Sequence, residues 1–214
     1  MLELAVKALI AYLVGGVLGS LILGKLRGVD IRSLGSGNAG ATNALRTQGK
    51  VFALLVLIID IAKGVLVVRW LPAAALPFVP VDPLLSREWL ELACGFAVIL
   101  GHVYPVWFGF RGGKGAATVV GVVAAIDLQL LAPLLVTWFV VLLLTGFVSL
   151  ATMLAGLALV ADVAVRDPGD GPMIGFCAVL AAFIIYTHRS NITRLRAGNE
   201  NRVRRLWLLR PRAK

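Results

Sequence analysis

Groups for metal chemistry and disulfide pairing are scarce in this chain of 214 residues, which has two cysteines and two histidines. Cys94 and Cys177 both lie in apolar runs, where a thiol packs as a small hydrophobe, so neither a disulfide nor a metal role is expected. There is no H-E-x-x-H, no C-x-x-C and no cluster of carboxylates at the polar stretches, so no metal is expected. Acidic residues are few, 11 Asp and Glu against 21 Lys and Arg, for a formal net charge of +10. That excess has no folded soluble segment to sit on and no aromatic interleaving beyond the tail, so a nucleic-acid partner is not expected. The first apolar run lacks a basic n-region and an A-x-A-like site, so it is expected to be a retained span.

What is abundant is apolar sequence: 59% of residues are hydrophobic, 15% are charged, and the mean hydropathy is +0.91. A soluble domain of this length would carry more charge. The expected fold class is all-α, a polytopic integral membrane protein in one domain over 1–214 with a basic tail from about 188. Spans are expected at about 4–24, 51–71, 88–108, 116–128, 130–146, 147–165 and 172–187. Asp127, Gln129 and Pro133 interrupt the stretch 116–146, which favours two short helices over one long one. The 25–50 loop carries Lys25, Arg27, Arg32, Arg46 and Lys50, Arg111 and Lys114 follow the third span, and nine Lys or Arg follow residue 187. The opposite loops hold Arg87 and Arg166. The positive-inside bias therefore places the basic segments in the cytosol, with seven spans and the N-terminus outside. The tail cations Arg202, Arg204, Arg205, Arg210, Arg212 and Lys214 suit topology and attraction to anionic lipid, and Trp207 suits an interfacial anchor.

Four polar clusters fall on the side so assigned. Residues 35–46 hold three glycines, two asparagines, Ser36, Thr42 and Arg46. Backbone N–H, hydroxyl, carboxamide and guanidinium groups without a carboxylate are a set for an oxyanion or phosphate. Gly35, Gly37 and Gly40 spell G-x-G-x-x-G, but no strand precedes them, so a dinucleotide fold is not supported. The second cluster runs from Gly101-His102 to Phe110-Arg111-Gly112-Gly113-Lys114-Gly115 and Thr118. A Walker A would need glycine at Phe108 and a hydroxyl residue at Gly115, so it is excluded; glycines flanking a lysine still let backbone N–H groups and an ammonium approach an anion. Ser149 and Thr152, at the start of the sixth span, suit caps or packing as well as binding. Finally, His188, Asn191 and Arg194 are spaced to share one helix face.

Asp60 and Lys63 lie three residues apart inside the second apolar run. Charges at such depth are costly and are paired or functional, which leaves two uses: an ion pair fixing helix packing, or an extension of the anion site by Lys63. Gly15, Gly19, Ser20 and Gly24 have the small-xxx-small spacing of close helix packing.

The combination resembles the bacterial membrane acyl-phosphate:glycerol-3-phosphate acyltransferase family. The resemblance is carried by Asp30 to Arg46, Gly101 to Thr118, His188 to Glu200 and the Asp60-Ile61-Ala62-Lys63-Gly64 run; Arg202 stands where the family's third motif often closes with lysine. It implies seven spans, an active site on the cytosolic side of a bacterial cell (inner) membrane, and a role in phospholipid synthesis. The implied partners are acyl phosphate, glycerol 3-phosphate and membrane lipids, with no obligate protein partner. No cofactor is implied, because acyl phosphate is already an activated mixed anhydride. The residues suit two phosphates and one acyl carbon: Arg46, Lys114 and Arg194 for charge, with Ser36, Gly37, Asn38, Thr42, Asn43, Gly113, Gly115, Ser149 and Asn191 for hydrogen bonds.

The implied chemistry is direct transfer, the 1-hydroxyl attacking the acyl carbon as phosphate leaves. His188, Ser36, Lys114 and Asn191 are the expected catalytic residues, with His188 as the base or orienting group, although a phosphate oxygen of the donor could take the proton instead. An acyl-Ser36 route lacks a visible Ser-His-Asp set. The H-x-x-x-x-D pattern of thioester-using acyltransferases is absent, since Trp107 and Thr193 stand five residues after the two histidines. The competing class is an organophosphate transporter, which would want a midplane site and internal repeats.

Overall fold

A computed structural model describes residues 1–203 and 205–209; the expected roles of Arg204, Arg210, Arg212 and Lys214 lie outside the described residues. Ten α-helices and no strand are present among the described residues. They form two compact units, Met1–Asp127 and the residues from Leu128 onward.

The first unit contains α1 (Leu2–Gly15), α2 (Gly19–Leu26), α3 (Ala41–Gln48), α4 (Lys50–Trp70), α5 (Arg87–Val103) and α6 (Ala116–Ile126). α1 packs along α5, and α4 along α6. Glycine makes both contacts possible: a Cβ on Gly15 would meet the Val98 backbone, and one on Gly101 the Tyr12 carbonyl. A Cβ on Gly64 would lie 2.7 Å from the Thr118 carbonyl oxygen, and one on Gly121 would strike that of Ile61. A Cβ on Gly19 would likewise lie 3.0–3.2 Å from Ile59 and Val56 of α4, so within the small-residue spacing Gly15 and Gly19 mark close helix packing.

The expected span 4–24 is broken. α1 and α2 meet at a 43° bend across residues 16–18. A break inside a bilayer is tolerable only if the freed backbone groups find partners, and here they do. Lys63 Nζ donates to the carbonyls of Gly15 and Val17, each at 2.9 Å, and Trp107 Nε1 donates to Leu13 O at 3.1 Å. At the start of α2, Gly19 N–H faces Asp60 Oδ1 at 3.4 Å. The ammonium thus sits at the C-terminal end of one helix and the carboxylate at the N-terminal end of the next, as the helix dipoles favour. Lys63 also pairs with Asp60 Oδ1 at 3.0 Å. Of the two uses open in the sequence, the structure shows the ion pair that fixes packing.

The second unit contains α7 (Leu131–Thr145), α8 (Val148–Arg166), α9 (Gly171–Thr187) and α10 (Arg189–Arg196). α7 and α8 form a hairpin, and α8 packs on α9. α9 and α10 bend by 59° at His188. The described part of the tail folds back: Val203 N–H donates to Gly146 O and Leu208 N–H to Leu143 O, both at 2.8 Å, and Trp207 Nε1 donates to Leu144 O at 3.0 Å. Arg202 lies over the Phe147 and Trp207 rings, 4.4 and 4.1 Å from their centroids. Arg202 and Trp207 therefore close the end of α7 in addition to any service at a lipid surface.

Four segments are long and apolar enough to cross a membrane: Lys50–Trp70, Arg87–Phe108, Leu128–Thr145 and Val148–Arg166. The two bent pairs bring the number to six. The expected span at 116–128 is α6, 11 residues long, which rises about 16 Å against a hydrocarbon core of about 30 Å. The expected interruption after it is present: α6 ends at Ile126 and a 3-10 turn, Leu128–Leu130, leads into α7.

Candidate functional site

Between α2 and α3 the chain makes a loop that is tied down from inside. Asp30 accepts from Arg32 N–H at 2.9 Å and starts a 3-10 turn, Ile31–Ser33. Asn43, from the first turn of α3 and 1% exposed, organises the rest. Its Oδ1 accepts Ser36 N–H at 2.8 Å, and its Nδ2 donates to Ile31 O and Leu34 O at 3.1 and 3.0 Å. Gly35 has φ +57°, and a Cβ there would collide with Asn43 Oδ1, so the glycine is required twice over. Ser20 Oγ holds Ala39 O at 2.7 Å from α2.

The expected substrate ligands in this stretch therefore divide. Asn43 has its carboxamide engaged by the loop itself and serves by shaping it. Ser36, Gly37 and Arg46 are exposed, while Asn38 and Thr42 are partly buried around Gly40, the N-cap of α3. No side chain caps that helix start, so its first N–H groups add to the donors there. Asn43→Ala removes three hydrogen bonds at once and is expected to cost about 1–3 kcal/mol for each backbone group left buried and unpaired. Asn43→Asp is expected to do nearly as badly, since a carboxylate cannot donate to two carbonyls. Thermal unfolding in detergent measures both.

Arg32 joins this loop to the second cluster. It chelates Asp30 through Nε and Nη2, with distances of 2.8–3.2 Å. Its Nη1 donates to the carbonyls of Phe108 and Arg111 at 2.9 and 3.1 Å. The guanidinium thus pins residues 30–40 to the loop that carries Gly113, Lys114 and Gly115. The arginine fork raises its own value: it holds the Asp30 carboxyl below the usual aspartate range. Arg32 stood in the sequence as one more loop cation; its bridging role has no signature in spacing.

The Lys114 loop doubles back on the end of α5, with Gly112 N–H donating to Val103 O and Gly113 N–H to His102 O, both at 3.1 Å. Gly115, at φ +88°, turns the chain into α6 with no side-chain cap. Gly113 and Gly115 are buried and Lys114 is partly so. His102, 2% exposed, lies beneath this loop with Nδ1 2.9 Å from Lys63 Nζ.

In the second unit one carboxylate gathers three of the expected residues. Glu200 accepts from Ser149 Oγ at 2.9 Å and Asn191 Nδ2 at 2.6 Å through Oε1, and from Arg194 Nε at 2.7 Å through Oε2. Burial raises the Glu200 pKa, but the bonds from Asn191, Arg194 and Ser149 outweigh it, and the carboxyl is held below the ordinary value of 4.5. In the sequence Glu200 closes the His188 to Glu200 motif, and its signal there is that it is the one acidic residue after Asp170, amid nine Lys and Arg. Arg194 is consequently not a lone phosphate-binding cation.

His188, 5% exposed, occupies the bend between α9 and α10. Its Nδ1 lies 2.8 Å from Ile184 O. A carbonyl only accepts, so the assigned tautomer protonates Nδ1 and leaves the Nε2 lone pair as the basic atom. Asn191 N–H donates to His188 O at 2.8 Å, so the helix break fixes the imidazole one turn from the carboxamide. Thr152 is a packing residue: it accepts from Trp138 Nε1 at 3.2 Å and donates to Val148 O at 2.9 Å.

A family model described as glycerol-3-phosphate acyltransferase matches residues 5–198. The chain is 40% identical over 206 residues to a glycerol-3-phosphate acyltransferase of Bacillus velezensis, covering 94% of this chain and 98% of that one. It is 43% identical over 197 residues to glycerol-3-phosphate acyltransferase 1 of Deinococcus radiodurans, covering 91% and 93%. Two crystal structures of PlsY (YgiH), an integral membrane glycerol 3-phosphate acyltransferase, are 36% identical and cover 93% of this chain and 94% of theirs. The glycerol 3-phosphate form superposes with a TM-score of 0.80 and the lysophosphatidic acid form with 0.78.

Proposed function

This chain belongs to the glycerol-3-phosphate acyltransferase family, and on that premise we propose that it transfers an acyl group from acyl phosphate to the 1-hydroxyl of glycerol 3-phosphate. The products are lysophosphatidate and inorganic phosphate. The observation that carries this is the pinned pair of loops in the first unit: Arg32 bonds to Asp30 on one and to Phe108 O and Arg111 O on the other. Between them they offer Ser36, Asn38, Thr42, Arg46, Lys114 and two uncapped helix starts to anionic oxygens. An acyl phosphate and a glycerol phosphate are both anions of this kind.

In the step itself, the 1-hydroxyl oxygen forms a bond to the acyl carbon and the bond from that carbon to the bridging phosphate oxygen breaks. Phosphate leaves with the electron pair, and the hydroxyl proton goes to His188 Nε2. Ser36 and the α3 and α6 N–H groups oppose the charge that develops on the carbonyl and leaving oxygens, while Lys114 neutralises the phosphate of glycerol 3-phosphate. Asn191 and Arg194, held by Glu200, orient His188's neighbourhood and a phosphate. Charge asymmetry favours the basic loop 25–50 and the basic tail on the cytosolic side of a bacterial inner membrane. The seven-span arrangement counts α6 as a crossing, and an 11-residue helix would need the bilayer to thin around it.

Purified protein is expected to form lysophosphatidate from acyl phosphate and glycerol 3-phosphate, and none from acyl-CoA; the reverse preference would overturn the donor assignment. His188→Ala is expected to lower kcat about 100-fold or more, within the range for a lost general base. Near-full turnover by that variant would hand the proton to a donor phosphate oxygen.

A further inference from the structure

Gly113 is backed directly by the His102 ring. A Cβ at Gly113 would land on His102 Nε2 and lie 3.1 Å from both Cδ2 and Cε1. Equal distances to the two ring carbons mean that the ring aims its Nε2 corner at residue 113. The His102 carbonyl accepts Gly113 N–H at 3.1 Å. Side chain and main chain of one residue therefore register the residue that precedes Lys114.

The ring cannot turn away. Its Nδ1 is 2.9 Å from Lys63 Nζ, and that ammonium is held by Asp60 Oδ1, Gly15 O and Val17 O at 2.9–3.0 Å. Asp60, Lys63 and His102 are all 4% exposed or less. Lys63 Nζ has three N–H groups for four neighbours, and His102 Nδ1 also lies 3.6 Å from Asp60 Oδ1, so the ring is held on this side by the ammonium and the carboxylate together.

We propose that His102 is a positioning residue for Lys114: anchored by Lys63 and Asp60, it fixes Gly113 and thereby the place from which Lys114 meets a substrate phosphate. This rests on the assignment of Lys114 to phosphate binding. The helix break between α1 and α2 and the phosphate loop are then held by the same three buried side chains. It also gives residue 113 a reason to be glycine at an ordinary φ, which turn geometry does not supply.

The test is Gly113→Ala in two backgrounds, His102 and His102→Asn. Asparagine can keep an acceptor where Nδ1 stands, preserving the Lys63 contact, but lacks the Nε2 corner that an alanine methyl would strike. With His102 present, Gly113→Ala is expected to raise KM for glycerol 3-phosphate about tenfold or more while kcat changes by less than about threefold, the pattern of lost binding common to ground and transition states. In the His102→Asn background the same change is expected to move KM less than about threefold. Equal penalties in both backgrounds would overturn the proposal. Coupling in melting temperature without coupling in KM would also overturn it, reducing the contact to packing. Calorimetric binding of glycerol 3-phosphate reads the same cycle without turnover. Failure of acyl phosphate as donor would therefore fail the proposed reaction while binding still decides the role of His102.

Discussion

Glu200→Ala is expected to lower activity about 100-fold, the order of loss that follows a displacement of about 1 Å in catalytic groups. The carboxylate is the common acceptor for Ser149, Asn191 and Arg194. Without it three donors lose this shared acceptor, and Ser149 and Asn191 are 4% and 7% exposed. Each buried donor left unpaired costs about 1–3 kcal/mol, so the variant should also melt earlier in detergent. Glu200→Gln keeps the shape but turns an N–H₂ or a neutral oxygen toward the Arg194 fork. The comparison with pH is specific. The folded carboxyl has its pKa below the ordinary 4.5, so its stabilising effect is complete above that value and lost as pH falls through the lower folded value. The melting-temperature gap between wild type and Glu200→Gln should hold steady above pH 4.5 and close below it.

Lys63→Met is expected to be the most damaging single change in the first unit. It leaves the Asp60 carboxylate, which is fully buried, without its ammonium, and strips the donors from Gly15 O and Val17 O. Removing one member of a buried pair costs about 3–5 kcal/mol. The double variant Asp60→Leu with Lys63→Met should recover part of that loss, because no uncompensated charge remains. The broken helix would still lack its partners, so recovery should be incomplete. Yield of folded protein and melting temperature in detergent decide the order: single worse than double, double worse than wild type. A double variant no better than the single would show that the helix break, and not the buried charge, carries the penalty.

How much of this was legible in the sequence depended on whether a residue's role is local. Hydropathy located the apolar helices because burial in lipid needs only composition and length. Asp127, Gln129 and Pro133 marked the end of α6 and the start of α7 for the same reason. The bend at residues 16–18 was hidden, because the donor that permits it, Lys63, lies 48 residues along the chain from Gly15. The first cluster was recognisable as a set of donors, yet spacing did not tell Ser36 and Arg46, which are exposed, from Asn43, which is used up inside the loop. Glu200 and Arg32 were overlooked for one reason: each works by holding other residues, and a holding contact across a fold leaves no periodic pattern. His102 stands two residues before Tyr104-Pro105 in the sequence with no mark of its contact with Gly113, which arises only once the loop doubles back.

The most direct measurement is the product balance of detergent-purified protein given acyl phosphate, labelled with radiocarbon in the acyl chain and radiophosphorus in the phosphate, together with unlabelled glycerol 3-phosphate. Direct acyl transfer predicts one radiocarbon-labelled lysophosphatidate for each radiolabelled orthophosphate released, with no radiophosphorus in the lipid. Radiophosphorus in the lipid, or uptake of glycerol 3-phosphate into reconstituted vesicles with no acylation, would contradict it.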